Sequence, residues 1–412
     1  MQLRTRFLKT NVCNSPMTSN ANSSLRPEDT QVPVDDVSLI RGGPFYRVQH
    51  ATRLFPSDRW NLGRRITLAI AIGWLPLLLM TAMFHPQSVR SLFSDYRVNA
   101  RMLIAVPVLL IGQVVMETRF RMIVQHLRQA GLLETKSLAH MDVIIANLGR
   151  WRDAIWPELA IVLAVYSNIA LIYSAHMHEN RPWALTPEGH LLPAGWYYAF
   201  VSQLLYRFLF GLSLWKWLLW CYFLFRLARL NLLLVPTHPD RHAGIGFLGL
   251  SPMGIAPVTF AAATAIGANW RYDILYEGAH LADFKLYAVV LLVIVIIVAI
   301  GPLIFFVPKL SAVRRNGILQ YGILGQLHSM DFHRKWIVDR AGHEEEFLAA
   351  PEVSTLTDYG SSYENIEKMQ PFPVDKGAFL ALAISVALPM FPTVLAEIPL
   401  AQVLKGLLEA VK

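Results

Sequence analysis

The stretch LYAVVLLVIVIIVAIGPLIFFV, Leu286 to Val307, lies between Lys285 and Lys309 and runs for 22 residues without a charge. At 1.5 Å of rise per residue, about 20 apolar residues match the roughly 30 Å hydrocarbon core of a bilayer, and a soluble core helix rarely needs so uniform a surface. This stretch reads as a membrane span, and lipid replaces water as the solvent for much of the chain. Its uniformity leaves no polar handle, so it is expected to be scaffold rather than part of a site.

Working outward, further apolar runs occur at Ile66 to Phe84, Met102 to Met116, Leu159 to Ala175, Tyr197 to Trp217, Phe247 to Ala268 and Ala378 to Ala396, giving seven in all. Met102 to Met116 covers only about 22 Å, so it must borrow flanking residues, and Pro107 is placed to kink it. The composition agrees. Of 412 residues, 54% are apolar and 16% charged, with 11 Trp, 14 Tyr and 21 Phe, the enrichment expected of side chains that face lipid as well as one another.

The net charge of +8 could suggest a nucleic-acid partner, so the position of the cations decides its meaning. With the amino terminus in the cytoplasm, segments 1–65, 118–154, 221–246 and 309–376 carry 27 Lys and Arg, whereas the opposite loops 85–99, 176–196 and 269–284 carry 4. That asymmetry follows the positive-inside rule and accounts for the basic balance without a nucleic-acid groove. The lipid bilayer is the partner the composition calls for, with a cytoplasmic protein as a second candidate, and oligomeric state is not encoded legibly. Cys13 and Cys221 form no pair or metal-ligand spacing. The amino-terminal arm lacks the short apolar core of a cleavable signal peptide, so the first span is expected to direct insertion.

The expected fold is an all-α integral membrane protein, a polytopic bundle of about seven helices. It comprises a polar cytoplasmic arm at 1–65, a membrane bundle at 66–308, a cytoplasmic segment at 309–376 that is part helical and part irregular, and a last span with an amphipathic tail at 377–412. Within the 118–154 loop, Leu138, Met141, Ile144, Ile145 and Leu148 recur at helical spacing. In the tail, Leu400, Val403, Leu404, Leu407, Leu408 and Val411 form one stripe that fits an interfacial helix on the outer face.

The fourth run carries the first candidate site. Trp196, Tyr197 and Tyr198 at one end and Trp215, Trp217 and Trp220 at the other mark two interfacial belts, which puts Arg207 near the midplane and lets Lys216 snorkel from the inner belt. A long helix over 196–234 is the plain picture. A guanidinium near the bilayer centre costs from about 3 to more than 10 kcal/mol unless it finds a partner or water, so Arg207 should face the bundle. It serves there either as an anion anchor or as a structural partner of Glu158, Glu117, Gln203, Gln113 or Asn168.

The fifth run carries the second. Gly249, Pro252, Gly254, Pro257 and Gly267 interrupt it, which suits a broken helix whose backbone faces a substrate at Pro252, Gly254 and Pro257, or a kinked helix packed through small residues. Ahead of it, Pro236-Thr237-His238-Pro239-Asp240-Arg241-His242 leads into Ala243-Gly244-Ile245-Gly246. There prolines stop the preceding helix, Thr237 or Asp240 can cap the next one, and Gly244 and Gly246 permit close backbone approach. The G-x-G-x-x-G spacing lacks the strand and βαβ unit that a dinucleotide site requires. A metal site would need His238, Asp240 and His242 to meet His328, Asp331 and His333; a capped turn plus solvated histidines is the simpler reading. The chain holds no Walker A loop, H-E-x-x-H or G-x-S-x-G, so the expectation leans away from an enzyme, with no catalytic residue, metal or cofactor assigned.

The segment Pro236 to Arg241 with Gly244-Ile245-Gly246-Phe247-Leu248 resembles a loop carried by a family of bacterial multi-pass inner-membrane proteins of about this length. The Trp-rich helix Trp215 to Arg229 and the ending Ala396-Glu397-Ile398-Pro399-Leu400 fit the same resemblance, which covers most of residues 196–412. It implies a bacterial inner-membrane location and brings no established reaction. The family favours a small residue where His242 stands, which weakens the metal reading. The expected function is a permease or channel-like protein for a small anionic solute, with Arg207 and the broken fifth span as the site and the loop residues His238, Asp240, Arg241, Gly244 and Gly246 shaping its mouth. The alternatives are a membrane-anchored sensor or assembly partner and, more distantly, an intramembrane metalloenzyme acting on lipid.

Overall fold

The computed structural model describes residues 38, 42–51, 62–175, 181–186, 188–338 and 351–399; the arm up to residue 37 and the carboxyl-terminal stripe from Leu400 lie outside them. The described elements are α1 (Pro44–Ala51), α2 (Leu62–Phe84), α3 (Tyr96–Gln129), α4 (Thr135–Asp153), α5 (Trp156–Ala175), α6 (Pro193–Ala228), α7 (Gly246–Tyr276), α8 (Leu281–Val338), α9 (Pro351–Glu367) and α10 (Lys376–Val394). Six of these, α2, α3, α6, α7, α8 and α10, are long and apolar enough to cross a membrane. The protein is an all-α, multi-pass helical bundle. The expected seventh span corresponds to α5, 20 residues long, whose apolar portion Trp156–Ser167 is shorter than the other six. Strand pairing among the described residues is limited to isolated bridges at Leu133 with Leu232 and Leu185 with Leu191.

The opening stretch behaves as a peripheral wall. Leu286 is 70% exposed, Val289 59% and Ile297 62%, and within Lys285–Ile300 only Val295, Ala299 and Ile300 are buried. In a bundle this apolar, such a surface faces lipid. The helix is not uniform, however. Pro302 has no amide hydrogen to donate, and Gly301–Phe306 tightens into a 3-10 segment before the helix resumes. Altogether α8 runs for 58 residues, about 85 Å, so most of its second half projects beyond a roughly 30 Å core. There α9 packs against it, with Tyr359 and Tyr363 over Gly325 and Gly322.

Two expected boundaries move. The second span begins at Tyr96 rather than Met102, and it includes a π-helical turn at Ala100–Ala105. The long helix expected over 196–234 starts at Pro193, carries a second π turn at Tyr198–Ser202, and ends at Ala228. Inside α4, Met141, Ile144 and Leu148 are buried, as their spacing predicts.

The fifth span is broken as its prolines dictate: Gly246–Gly254 is 3-10 and Ala256–Tyr276 is α-helical, with Pro257 in its first turn. Its main neighbour is α10, which runs parallel to it. Gly249 lies against the backbone of Pro373 to Asp375, the Thr259 and Ser385 hydroxyls are 2.7 Å apart, and Thr393 Oγ1 donates to the Gly267 carbonyl at 2.8 Å. Small residues let the backbones approach, and buried hydroxyls find partners across the seam. Replacing Thr259 by Val should lower stability by about 0.6–1.7 kcal/mol, and in a Ser385→Ala background the same change should cost less; a thermal unfolding series in micelles measures both.

Candidate functional site: an arginine pair between two π turns

A side-chain hydrogen bond links the two π turns. Arg101, in the turn of α3, donates through Nη1 to the Tyr198 hydroxyl at 2.9 Å, and Tyr198 opens the turn of α6. Through Nη2 it donates to Asn269 Oδ1 on α7, also at 2.9 Å, and Gln203 Nε2 donates to the same Tyr198 oxygen at 2.7 Å. Arg207, two turns along α6 from Tyr198, lies within electrostatic reach of Arg101, Tyr198 and Tyr206, and Asp95 is a more distant neighbour of Arg101. Two arginines from different helices thus lie within electrostatic reach of each other and of the Tyr198 and Tyr206 phenols. Such a pair suits an oxyanion or halide, because guanidinium donors are fixed in a planar fork.

One end of this cluster is tied down. Asp95 accepts from the Arg97 and Val98 amides at 3.1 and 3.4 Å and from Trp183 Nε1 at 3.0 Å, while the Arg97 guanidinium lies 3.5 Å over the Tyr272 ring. At 1% exposure Trp183 also packs edge-on against Tyr198, so the loop before α6 braces the π turn from outside.

A second polar group forms at the other end of the same helices. There a cavity of about 20 Å³ is lined by Arg65, Gln113, Arg152, Glu158, Trp215 and Lys216, with α1 lying over it through Phe45 and Tyr46. Arg65 Nη2 donates to Gln113 Oε1 at 3.1 Å, Arg121 Nε to Glu117 at 2.7 Å, and the Gly43 and Phe45 amides to Asp153 and Glu158 at 2.8 and 2.9 Å. Burial works against the charge on Asp153, but Arg152, the Gly43 amide and Arg47 together hold its carboxyl below the usual range. Lys216, expected to snorkel outward, is instead 6% exposed, with Glu117, Glu158, Arg65 and Arg152 around it. Between the two levels, α3 buries Val106 and Leu109, and α6 buries Leu209 and Leu212, making an apolar layer.

The loop ahead of α7 is built around one carboxylate. Asp240 Oδ1 accepts from the His242 and Gly244 amides at 2.9 and 3.1 Å and lies 2.8 Å from His238 Nδ1; Oδ2 accepts from the Gly246 amide at 2.9 Å. Burial presses this carboxyl toward the neutral acid, but those three amides and His238 outweigh it and hold the group below the usual carboxylate range. Arg241 and Ala243 adopt φ of 57° and 54°, and Gly244 93°, so the turn is strained at two residues other than glycine. A Cβ on Gly246 would lie 3.0 Å from Asp240 Oδ2, which is why glycine stands there. The loop is then clasped by the segment before α10, with the Gln370 amide donating to the Arg241 carbonyl at 2.9 Å and His242 Nδ1 3.0 Å from the Gln370 carbonyl. His238, Asp240, Arg241, Gly244 and Gly246 therefore form one rigid turn.

The other expected residues separate. Pro257 fills the space that a Cβ on Gly112 would occupy, Gly254 lies beside Met116 and Trp217, and Pro252 is buried in the 3-10 segment. Gly112 is about 16 Å along α3 from Arg101, so these prolines pack at a different level from Arg207. Of the expected partners, Glu117 and Glu158 sit at the cavity end, and the Asn168 side chain lies outside the described residues. Among the described residues no three His, Cys, Asp or Glu groups converge as a metal site would require. Sequence reasoning passed over Arg101. The deficit in the second run was its signal, since a helix long enough to span must extend to include it.

Comparison with known protein families, curated proteins and solved structures finds no match to this chain.

Proposed function

We propose that the protein is a permease or channel-like protein for a small anionic solute, resident in the bacterial inner membrane with its amino terminus in the cytoplasm. The observation that carries the reading is Arg101, anchored on Tyr198 and Asn269 within the membrane-spanning helices, with Arg207 of α6 within electrostatic reach of it. Intramembrane cations are expensive, and two within reach of each other favour an anion near both. The π turns at Ala100–Ala105 and Tyr198–Ser202 support it, because such turns recur at functional sites. Val106, Leu109 and Leu209 are buried on α3 and α6 between the level of Arg101 and Arg207 and that of the Lys216 cavity. The orientation rests on the cation asymmetry, and the bacterial location on the resemblance carried by residues 236–248.

The test is flux through proteoliposomes with chloride, nitrate, phosphate and acetate as probes. The protein should carry at least one of them, and Arg101→Gln and Arg207→Leu should each lower that flux at least about tenfold, the factor equivalent to losing one charge-assisted hydrogen bond. Absence of flux for the whole panel, or unchanged flux in both folded variants, overturns the reading.

A second reading, a membrane-anchored sensor or assembly partner, draws on the projecting half of α8. Leu319, Ile323, Leu327 and Met330 are 67, 65, 56 and 51% exposed there on one helical face. A stoichiometric cytoplasmic protein retained by the full chain and released by Ile323→Asp, with no flux for any probe, would favour it.

A further inference from the structure

The cavity at Lys216 holds two buried hydrogen-bond donors, on Gln113 and Trp215, with no acceptor among the described residues. Gln113 is 3% exposed, and its amide orientation is set by Arg65, which donates to Oε1; that leaves Nε2 buried without an acceptor among the described residues. Trp215 Nε1 is in the same condition, and both residues line the cavity. A buried donor without an acceptor is expensive, and native proteins answer such groups with water or an ion. Both orphaned atoms are donors. Whatever satisfies them must accept.

Charge narrows the choice. The lining carries three cations, Arg65, Arg152 and Lys216, and one carboxylate, Glu158. The nearby carboxylates already have donors: Glu158 takes the Phe45 amide, Glu117 takes Arg121, and Asp153 takes Arg152. At about 20 Å³ the space fits one or two waters or a monatomic anion. We propose that this cavity is a halide-binding site in which Gln113 Nε2 and Trp215 Nε1 donate to the ion and Lys216 and Arg65 balance its charge. The site goes beyond the permease reading and does not involve Arg101 or Arg207. It gives the α1-covered end of the bundle its own anion, with Phe45 and Tyr46 in the lining.

Full-length protein purified in micelles and exchanged into gluconate buffer is titrated with chloride, and with bromide in parallel, while the chloride NMR linewidth is followed. Saturable broadening, displaced by bromide, is expected. Gln113→Glu should abolish it, because the new carboxylate repels the ion, and Trp215→Phe, which deletes one N–H and keeps an aromatic ring, should weaken it at least about tenfold. Gly360→Ala, on α9 and outside both anion sites, should leave it unchanged. If Gln113→Glu does not fold, Trp215→Phe decides. No saturable broadening, which would leave only water to answer the two donors, overturns the proposal. So does broadening indifferent to both cavity variants, or lost only in Arg207→Leu, which would place the halide at the arginine pair.

Discussion

Replacing Asp240 by Ala is expected to lower the stability of the purified protein by about 3–5 kcal/mol, because three amides and one imidazole converge on a single carboxylate and each charge-assisted hydrogen bond contributes about 1.5–3 kcal/mol before the loop relaxes. The strained backbone at Arg241 and Ala243 makes relaxation costly to the fold. Once its hub is gone, nothing holds those residues at positive φ, and the clasp to Gln370 loosens with them. Thermal unfolding in micelles reads the loss, and limited proteolysis within 236–246 reads its location. Asp240→Asn should cost less, since one oxygen can still accept from two amides.

The same carboxylate sets a pH dependence. Its folded-state pKa is depressed, so its contribution is fully present above the unfolded value of about 3.9 and disappears as pH falls through the lower folded value. Stability measured between pH 6 and pH 3 should therefore fall more steeply in the native protein than in Asp240→Asn. Equal slopes would remove Asp240 as the origin of the effect.

Replacing Gly249 by Val is the second large expected effect, about 3 kcal/mol. A Cβ there would lie 2.8 Å from the Asp375 amide nitrogen and 3.0 Å from the Pro373 carbonyl oxygen. These are backbone atoms and cannot swing aside. The displacement would act at the start of α10, where Asp375 caps the helix through the Ala378 amide at 3.2 Å, and would pull on the Thr259–Ser385 contact further along. Gly360→Ala is the control. Nothing lies within 4 Å of its added Cβ, and an α9 interior position should gain about 0.5–1 kcal/mol from the better helix former.

Membrane residence and six of the seven expected long apolar helices were legible in the chain because run length and the absence of charge are local properties of sequence. The loop at 236–246 was legible in part: its prolines, its acid and its glycines announced a tight turn, and Gly246 stands where close approach requires it. The positive φ at Arg241 and Ala243 was not, because those residues carry no preference for it and are held there by Asp240. Boundaries failed where a π turn extends a helix past its apolar run, which is how Arg101 escaped notice. Lys216 was misjudged for another reason. Interfacial position favours snorkelling, but Arg65, Glu117 and Glu158 arrive from three other helices, and no window along α6 contains them.

The parallel seam between α7 and α10 also bears on how the chain is made. Thr259 meets Ser385, 126 positions further along the chain, and at about 5–20 residues per second a ribosome needs roughly 6–25 s to deliver the second after the first. Throughout that interval α7 sits in the bilayer with a glycine- and hydroxyl-bearing face whose native partner has not been synthesised. Chains truncated before α10 keep that face open indefinitely, which makes it a natural mark by which a membrane protease could tell a finished copy from an abandoned one.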